Sequence, residues 1–421
     1  MKKRTLGALP VILAVIFFNA IFNCSTAQQY KSLTLKESIT IALDSNLKAK
    51  SAAYNVDMQH ALKGASWDIP KTTLDGQYGQ FNTYSDDNSF EVTQSLAFPT
   101  VYVYQAKLAQ ANIESSVWQQ KIVQLEIATE VRQVYGELCY LYSIRDQLFI
   151  LDSLYKDFLR AAELRVSTGE TNKLEMITAR TQSMSVKNQI LQVNADIMIN
   201  LRKLREILNT DELVMPADTV LQRLPFTPPI DSMGIMTNPG LWYVRQQAIV
   251  AGTEQKLERN HMLPDLTIGY FNQSMIGTQD VEGAPVYFGP GDRFNSFHAG
   301  LAIPVVFGPS LSRIKAAKLK EQVANTDAEY YEKSLRIHYE SLLQEYGKYS
   351  ASVDYYEQQA LTEADMIIAQ STLSYKAGAL DYTDYVVMLE RAVEIRKNYL
   401  DALNNYNKSI ISLEYITGKI Y

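Results

Sequence analysis

Only two cysteines, Cys24 and Cys139, occur in 421 residues. That excludes a disulfide framework and a Cys-based zinc site. Histidine is also sparse, and the four scattered residues His60, His261, His298 and His338 do not suggest a His-built metal or general-base centre. A basic excess is missing: 40 Lys+Arg face 46 Asp+Glu, a net charge of -6. Without Lys2, Lys3 and Arg4 the balance is 37 against 46, or -9. No nucleic-acid partner is expected of such a chain, because phosphate binding needs a basic face. There is no phosphate loop, nucleophile elbow or metal-ligand motif, so neither an enzyme nor a cofactor is expected. Beyond the first 27 residues there is no apolar run of about 18 residues, the length a membrane helix needs. A chain of this kind spans a membrane only as a β-barrel.

What is present begins with an address. Met1 to Arg4 is basic, Leu6 to Phe22 is apolar, and Ser25-Thr26-Ala27 ends in a small residue. Residues 1–27 read as a signal peptide cleaved before Gln28, as a lipoprotein signal in which Cys24 is acylated, or as an uncleaved anchor. Each of these takes the chain out of a bacterial cytoplasm.

Proline is distributed unevenly. None lies between Thr100 and Met215, and none between Ser310 and Tyr421. Gly169 lies 69 residues after Thr100, and Gly378 lies 68 after Ser310. Each block reads as a long helix, a Gly-containing turn and a second long helix. A shift of 209 residues brings Gly169 onto Gly378, Glu175 onto Asp384, Leu191 onto Leu400 and Leu204 onto Leu413. Ile69-Pro70 matches Leu263-Pro264, and Phe98-Pro99 matches Ile303-Pro304. The chain is an internal duplication of helix, strand, strand, helix, helix. The helical blocks carry apolar residues at 3/4 spacing, among them Val134, Leu138, Leu141, Leu148, Leu151, Tyr155, Phe158 and Ala162. That is a coiled-coil seam.

Segments between the helical blocks alternate instead. Leu74, Gly76 and Tyr78 oppose Thr73, Asp75 and Gln77; Phe90, Val92 and Leu96 oppose Glu91, Thr93 and Ser95. In the second copy Leu266, Ile268 and Tyr270 oppose Thr267 and Gly269, and Phe297, Ala299 and Leu301 oppose Ser296, His298 and Gly300. Such strands, with one apolar face and one polar face, carry the dyad signature of a membrane barrel. Four strands leave two open edges, which lipid does not tolerate. Three copies would supply twelve strands and enclose a lumen. The expected fold class is mainly α, with long helical hairpins forming a coiled-coil cylinder and four strands per chain contributing to a trimeric barrel. The expected division is 28–70 N-terminal segment and first helix, 71–99 first β-hairpin, 100–215 first long helical hairpin, and 216–237 linker. It continues with 238–263 helix of the second repeat, 264–304 second β-hairpin, and 305–421 second long hairpin with the C-terminal segment. A soluble or peripheral coiled-coil structural or adaptor protein is the alternative that the helices alone would suggest.

The ordered set of these features resembles the TolC family of outer-membrane efflux channels. The resemblance is carried by Leu33-Thr-Leu-Lys-Glu37, the duplicated hairpins, the Tyr375-Lys-Ala-Gly378 turn followed by Asp384, and Leu413-Glu-Tyr-Ile-Thr-Gly418. It implies a homotrimeric exit duct in outer-membrane lipid, extending into the periplasm and docked on a periplasmic adaptor served by an inner-membrane pump. It implies further that the turns Thr168-Gly169-Glu170 and Ala377-Gly378-Ala379 engage the adaptor. Glu175 and Asp384 then stand near the periplasmic entrance as acidic rings, or else are solvated helix-surface acids. Where the family has an arginine and a second acid, this chain has Leu380 and Val387. Closure of the entrance is therefore expected to be apolar, with Tyr375 and Tyr382 packing there.

Overall fold

The computed structural model describes residues 30–170, 172–227 and 232–419. Residues 1–27 and Cys24, read above as a signal and a lipidation site, lie outside the described residues. The described residues pack as two compact units, one drawn from within 30–46, 130–224 and 349–408, the other from within 47–129, 225–348 and 409–419.

In the first unit, β1 (Lys31–Leu33) pairs in parallel with β4 (Val214–Pro216). Thr34 ends β1 and starts α1 (Leu35–Ser45) through a capping box: the Glu37 N–H donates to Thr34 Oγ1, and the Thr34 N–H donates to Glu37 Oε2 at 2.8 Å. Two orphan donors of the helix start are satisfied in this way. Extended backbone at Asn46 stops α1, and a separate α2 (Leu47–Lys63) follows in the second unit. The expected single N-terminal helix is thus two. The first long hairpin is α3 (Pro99–Ser167), whose residues 99–129 belong to the second unit, and α4 (Lys173–Leu208). At 1.5 Å per residue the 69 residues of α3 extend about 100 Å. Asn209, in the left-handed region at φ 47°, terminates α4, and its side chain donates to Ser45 O at 3.1 Å.

The second unit holds the sheet. Strands β2 (Thr73–Gly79), β3 (Asp87–Leu96), β5 (Asp265–Gln273) and β8 (Phe294–Ala302) pair antiparallel in the order β2-β3-β5-β8. The register aligns the alternation across all four. Leu74 pairs with Val92, Val92 with Tyr270 and Tyr270 with Phe297; Leu96 pairs with Leu266 and Leu266 with Leu301. Every apolar row therefore lies on one face, and Asp75, Glu91, Thr93 and His298 lie on the other. A one-residue slip in any pair would destroy this arrangement. The second hairpin differs from the first by an insertion, β6 (Gly277–Val281) with β7 (Ala284–Phe288), turned by Glu282 and Gly283 at positive φ. Helix α5 (Pro239–Asn260) is capped by Asn238, whose Oδ1 accepts the Leu241 N–H at 3.1 Å. The Asn238 amide donates to Ile416 O at 3.0 Å. Around it Ile235, Leu241, Leu335, Tyr339, Leu342, Leu413 and Ile416 form the core of this unit.

The second hairpin's outgoing arm is interrupted. Helix α6 (Gly308–Tyr355) passes through a π turn at Tyr356–Ala360 into α7 (Leu361–Lys376), and α8 (Tyr382–Ile416) returns. Arg223 of the linker donates to Asp354, just before the turn, at 2.8 Å and to Glu357, within it, at 2.9 Å, and lies over the Tyr406 ring. The wide turn and its charge clamp have no counterpart in the uninterrupted α3. Among the described residues no helix is long and apolar enough to cross a membrane.

Candidate functional site

The two hairpin turns close in the same way. Gly169 at φ 75° and Gly378 at φ 74° take the left-handed conformation just past α3 and α7. The following N–H groups reach back, Glu170 to Arg165 O at 2.9 Å and Ala379 to Ser374 O at 2.9 Å. This is the six-to-one bond of a Schellman ending, and it requires a residue that tolerates positive φ. Thr168, Glu170, Ala377 and Ala379 flank the two glycines and are exposed.

The next helices start alike as well. Asn172 Oδ1 accepts the N–H groups of Leu174 and Glu175, and Asp381 Oδ1 accepts the N–H of Asp384 at 2.9 Å. Glu175 and Asp384 are thereby the third residues of α4 and α8. An acid there is favoured by the helix dipole, which explains its presence in both copies without reference to a channel. Beyond this the two part company. The Glu175 carboxylate is only 10 % exposed and accepts from Arg165 at 3.0 Å, whereas Asp384 is exposed.

Arg165 is the residue that sequence reasoning missed. It stands in the last turn of α3, where a cation suits the helix C-terminus, so its presence carried no further signal. Its guanidinium donates to Glu175 of α4 and also to the Tyr375 hydroxyl of α7 at 3.4 Å. One side chain therefore ties the two hairpins together. Besides Leu380 and Val387, from which an apolar closure is expected, a charged contact is present, supplied from the first hairpin and not from the position of Leu380. Gln182 adds a second tie, donating to Glu390 at 3.0 Å.

Apolar packing backs the charged contact. Phe158 lies against Tyr375, Tyr382 and Tyr385 with ring centroids 4.6 to 5.9 Å apart, and Tyr375 stacks on Tyr385 at 4.8 Å. Aromatic contacts of this kind add about 0.5–1.5 kcal/mol each beyond burial. Leu380 packs against this cluster, while Val387 is exposed. Burial pushes the Tyr382 hydroxyl up to about 12, and that oxygen has no hydrogen-bond partner among the described residues. Beside the cluster lies a cleft of about 1290 Å³ lined by Arg165, Glu175, Tyr375, Leu380, Asp384 and Val387 among others. Every residue expected at the entrance thus borders one space. Cys139 is buried apart from it, its thiol raised to about 12 by burial, and it donates to Asp218 O. It is inert as a nucleophile at neutral pH.

No protein-family model matches the chain, and no curated protein matches it by sequence. Solved structures do match. The CmeC outer membrane channel of Campylobacter jejuni aligns with TM-score 0.75 at 15 % identity, over 92 % of this chain and 86 % of that one. The outer-membrane channel OprN aligns with TM-score 0.77 at 14 % identity, over 93 % of each. The outer membrane protein VceC of Vibrio cholerae aligns with TM-score 0.72 at 15 % identity, over 91 % and 96 %. This chain therefore has the fold of these outer-membrane channels, which is the fold that the TolC resemblance implies.

Proposed function

We propose that three copies of the chain assemble into an outer-membrane exit duct of a tripartite efflux or type I secretion system. The observation that carries this reading is the sheet. Its apolar rows all lie on one face, Phe297 at 82 % and Leu301 at 67 % exposure among them, and β2 and β8 are edges without a partner strand among the described residues. Such a surface is stable in lipid, and such edges are satisfied by pairing β8 of one copy with β2 of the next. The helices support the same assembly. On α4, Ile177, Met184, Leu191 and Met198 are exposed at strict seven-residue spacing, and on α6 so are Val323, Tyr330 and Ile337. A heptad stripe facing outward is a seam for another helix. The similarity to outer-membrane channels agrees with this reading, which places the protein in the outer membrane of a Gram-negative-type bacterium. A soluble coiled-coil rod would leave both the apolar sheet face and the stripes in water.

In detergent the purified protein should have the mass of a trimer, and cell fractionation should find it in the outer membrane. A stable monomer that needs no detergent would sink the proposal.

The hairpin turns, Thr168-Gly169-Glu170 and Ala377-Gly378-Ala379, would dock on a periplasmic adaptor that links the duct to an inner-membrane pump. A Cβ at Gly169 or Gly378 meets nothing within 4 Å, so substitution there strains the backbone without a clash. Forcing a β-branched residue into the left-handed region costs about 1–2 kcal/mol. Replacing both by valine should abolish export while leaving trimers in the membrane at near-normal levels. Unimpaired export by the double variant would show that no partner needs these turns.

A further inference from the structure

The apolar rows of the sheet end in an unusual way. At the loop end of β3, β5 and β8 the same face carries Asn88, Asn272 and Asn295, with Asn272 and Asn295 as register partners. Arg293, two residues before Asn295, continues this row. Its side chain reaches across β5: Nε donates to Asn272 Oδ1 at 2.6 Å, and the two terminal nitrogens donate to Asn272 and Asn88. Tyr270 donates its hydroxyl to Asn295 at 3.0 Å, which joins the last aromatic of the row to the amides. No carboxylate pairs with Arg293 among the described residues. Asp292 is occupied by the Gly289 N–H, and Asp87 by Thr83, Ser274 and Ile276. A guanidinium has five N–H bonds in a fixed fork. Three point to the asparagine oxygens, and two remain for another acceptor.

We propose that Arg293 and the Asn88–Asn272–Asn295 amides form a binding site for the phosphate group of a phosphorylated saccharide lipid in the outer leaflet. The proposal rests on the reading of the sheet as a membrane barrel. From Ile303 to Arg293 the strand rises about 33 Å at 3.3 Å per residue. A tilt of about 40° reduces this to roughly 25 Å, the height of the apolar band of such barrels. Arg293 therefore lies at headgroup level when Ile303 lies at the opposite edge. A guanidinium fork matches phosphate geometry, and neutral amides on either side of it suit sugar hydroxyls. An arginine that merely sought water would need no row of amides to orient it.

The test is native mass spectrometry of the detergent-purified trimer with lipid A, its dephosphorylated form, and inorganic phosphate as competitor. Wild type should retain lipid A at least fivefold better than the dephosphorylated lipid. Arg293→Gln should lose that preference, and Arg293→Lys, which keeps the charge without the fork, should fall between. Asn272→Leu should weaken retention by removing the acceptor that orients the guanidinium. Equal retention by wild type and Arg293→Gln would overturn the site while leaving the channel reading intact. Displacement by millimolar inorganic phosphate would mark a free-phosphate site and overturn the lipid assignment. A wild-type protein that does not insert into lipid vesicles at all would instead overturn the channel reading, and this proposal with it.

Discussion

Replacing Arg165 with methionine should convert a mostly closed duct into a mostly open one. Methionine keeps much of the side chain's apolar bulk but removes the donors to Glu175 and Tyr375. The Arg165 side chain is 38 % exposed, so solvent screens the pair, and about 1 kcal/mol per protomer is a fair value. If the three protomers of the proposed trimer open together, the losses add to about 3 kcal/mol, a shift of roughly a hundredfold in the ratio of open to closed states. The aromatic cluster around Phe158 remains, so the hairpins should stay folded. In planar bilayers the variant should show a large rise in open probability. Arg165→Lys should show a smaller one, because it keeps the charge and loses the fork. Wild-type conductance in Arg165→Met would mean that the contact does not hold the entrance shut.

Gly418→Val should be far more destabilising than the same substitution at Gly169 or Gly378. Gly418 has φ 71°, close to Gly169 and Gly378, so the backbone strain is common to all three. The surroundings differ. A Cβ at Gly418 would lie 2.8 Å from Thr237 O, 3.0 Å from Pro239 Cδ and 3.2 Å from Asn238 Cα. These belong to the backbone and proline ring that cap α5, and they cannot step aside cheaply. Strain of about 1–2 kcal/mol and overpacking of about 1–3 kcal/mol sum to roughly 3 kcal/mol. The same substitution would disturb the bonds from Thr237 to Thr417 O and from Asn238 to Ile416 O. Thermal unfolding in detergent should fall by several degrees for Gly418→Val and much less for Gly169→Val. Equal shifts for the two would show that strain alone matters and that the clash relaxes.

Much of this fold is legible in the residues because burial on one side only leaves a periodic record. The alternation at Phe297, Ala299 and Leu301 assigns these residues to one face, and the register of the sheet confirms that assignment row by row. Leu138, Leu151, Tyr155 and Phe158 are buried as the seam requires. Duplication is a weaker guide. Leu191 and Leu400 occupy equivalent positions, yet Leu191 is 68 % exposed and Leu400 only 7 %. Sequence alone gives no means of separating a seam within one chain from a seam between chains, since both repeat every seven residues. The inserted β6–β7 hairpin turns at Glu282-Gly283, a weaker cue than Asn-Gly or Asp-Gly. At the candidate entrance, Tyr375 and Leu380 were visible as apolar residues near a turn. Arg165 was not, because a basic residue ending a helix is ordinary until its partners are known.

The π turn at Tyr356–Ala360 makes the two repeats a vernier. On its near side Leu335 and Tyr339 occupy buried positions matching Ile127 and Val131, an offset of 208 residues. From its last residue onward Ala360, Ala364 and Ser371 match Leu151, Tyr155 and Ala162, an offset of 209. The second copy has gained one residue between these points, and the wide turn absorbs it. A π turn accommodates such an insertion without rotating everything downstream by the roughly 100° that one α-helical residue would impose. The aromatic cluster and the glycine turn of the second hairpin therefore keep their phase with the first. Arg223, gripping Asp354 just before the turn and Glu357 within it, pins the place where the extra residue is stored.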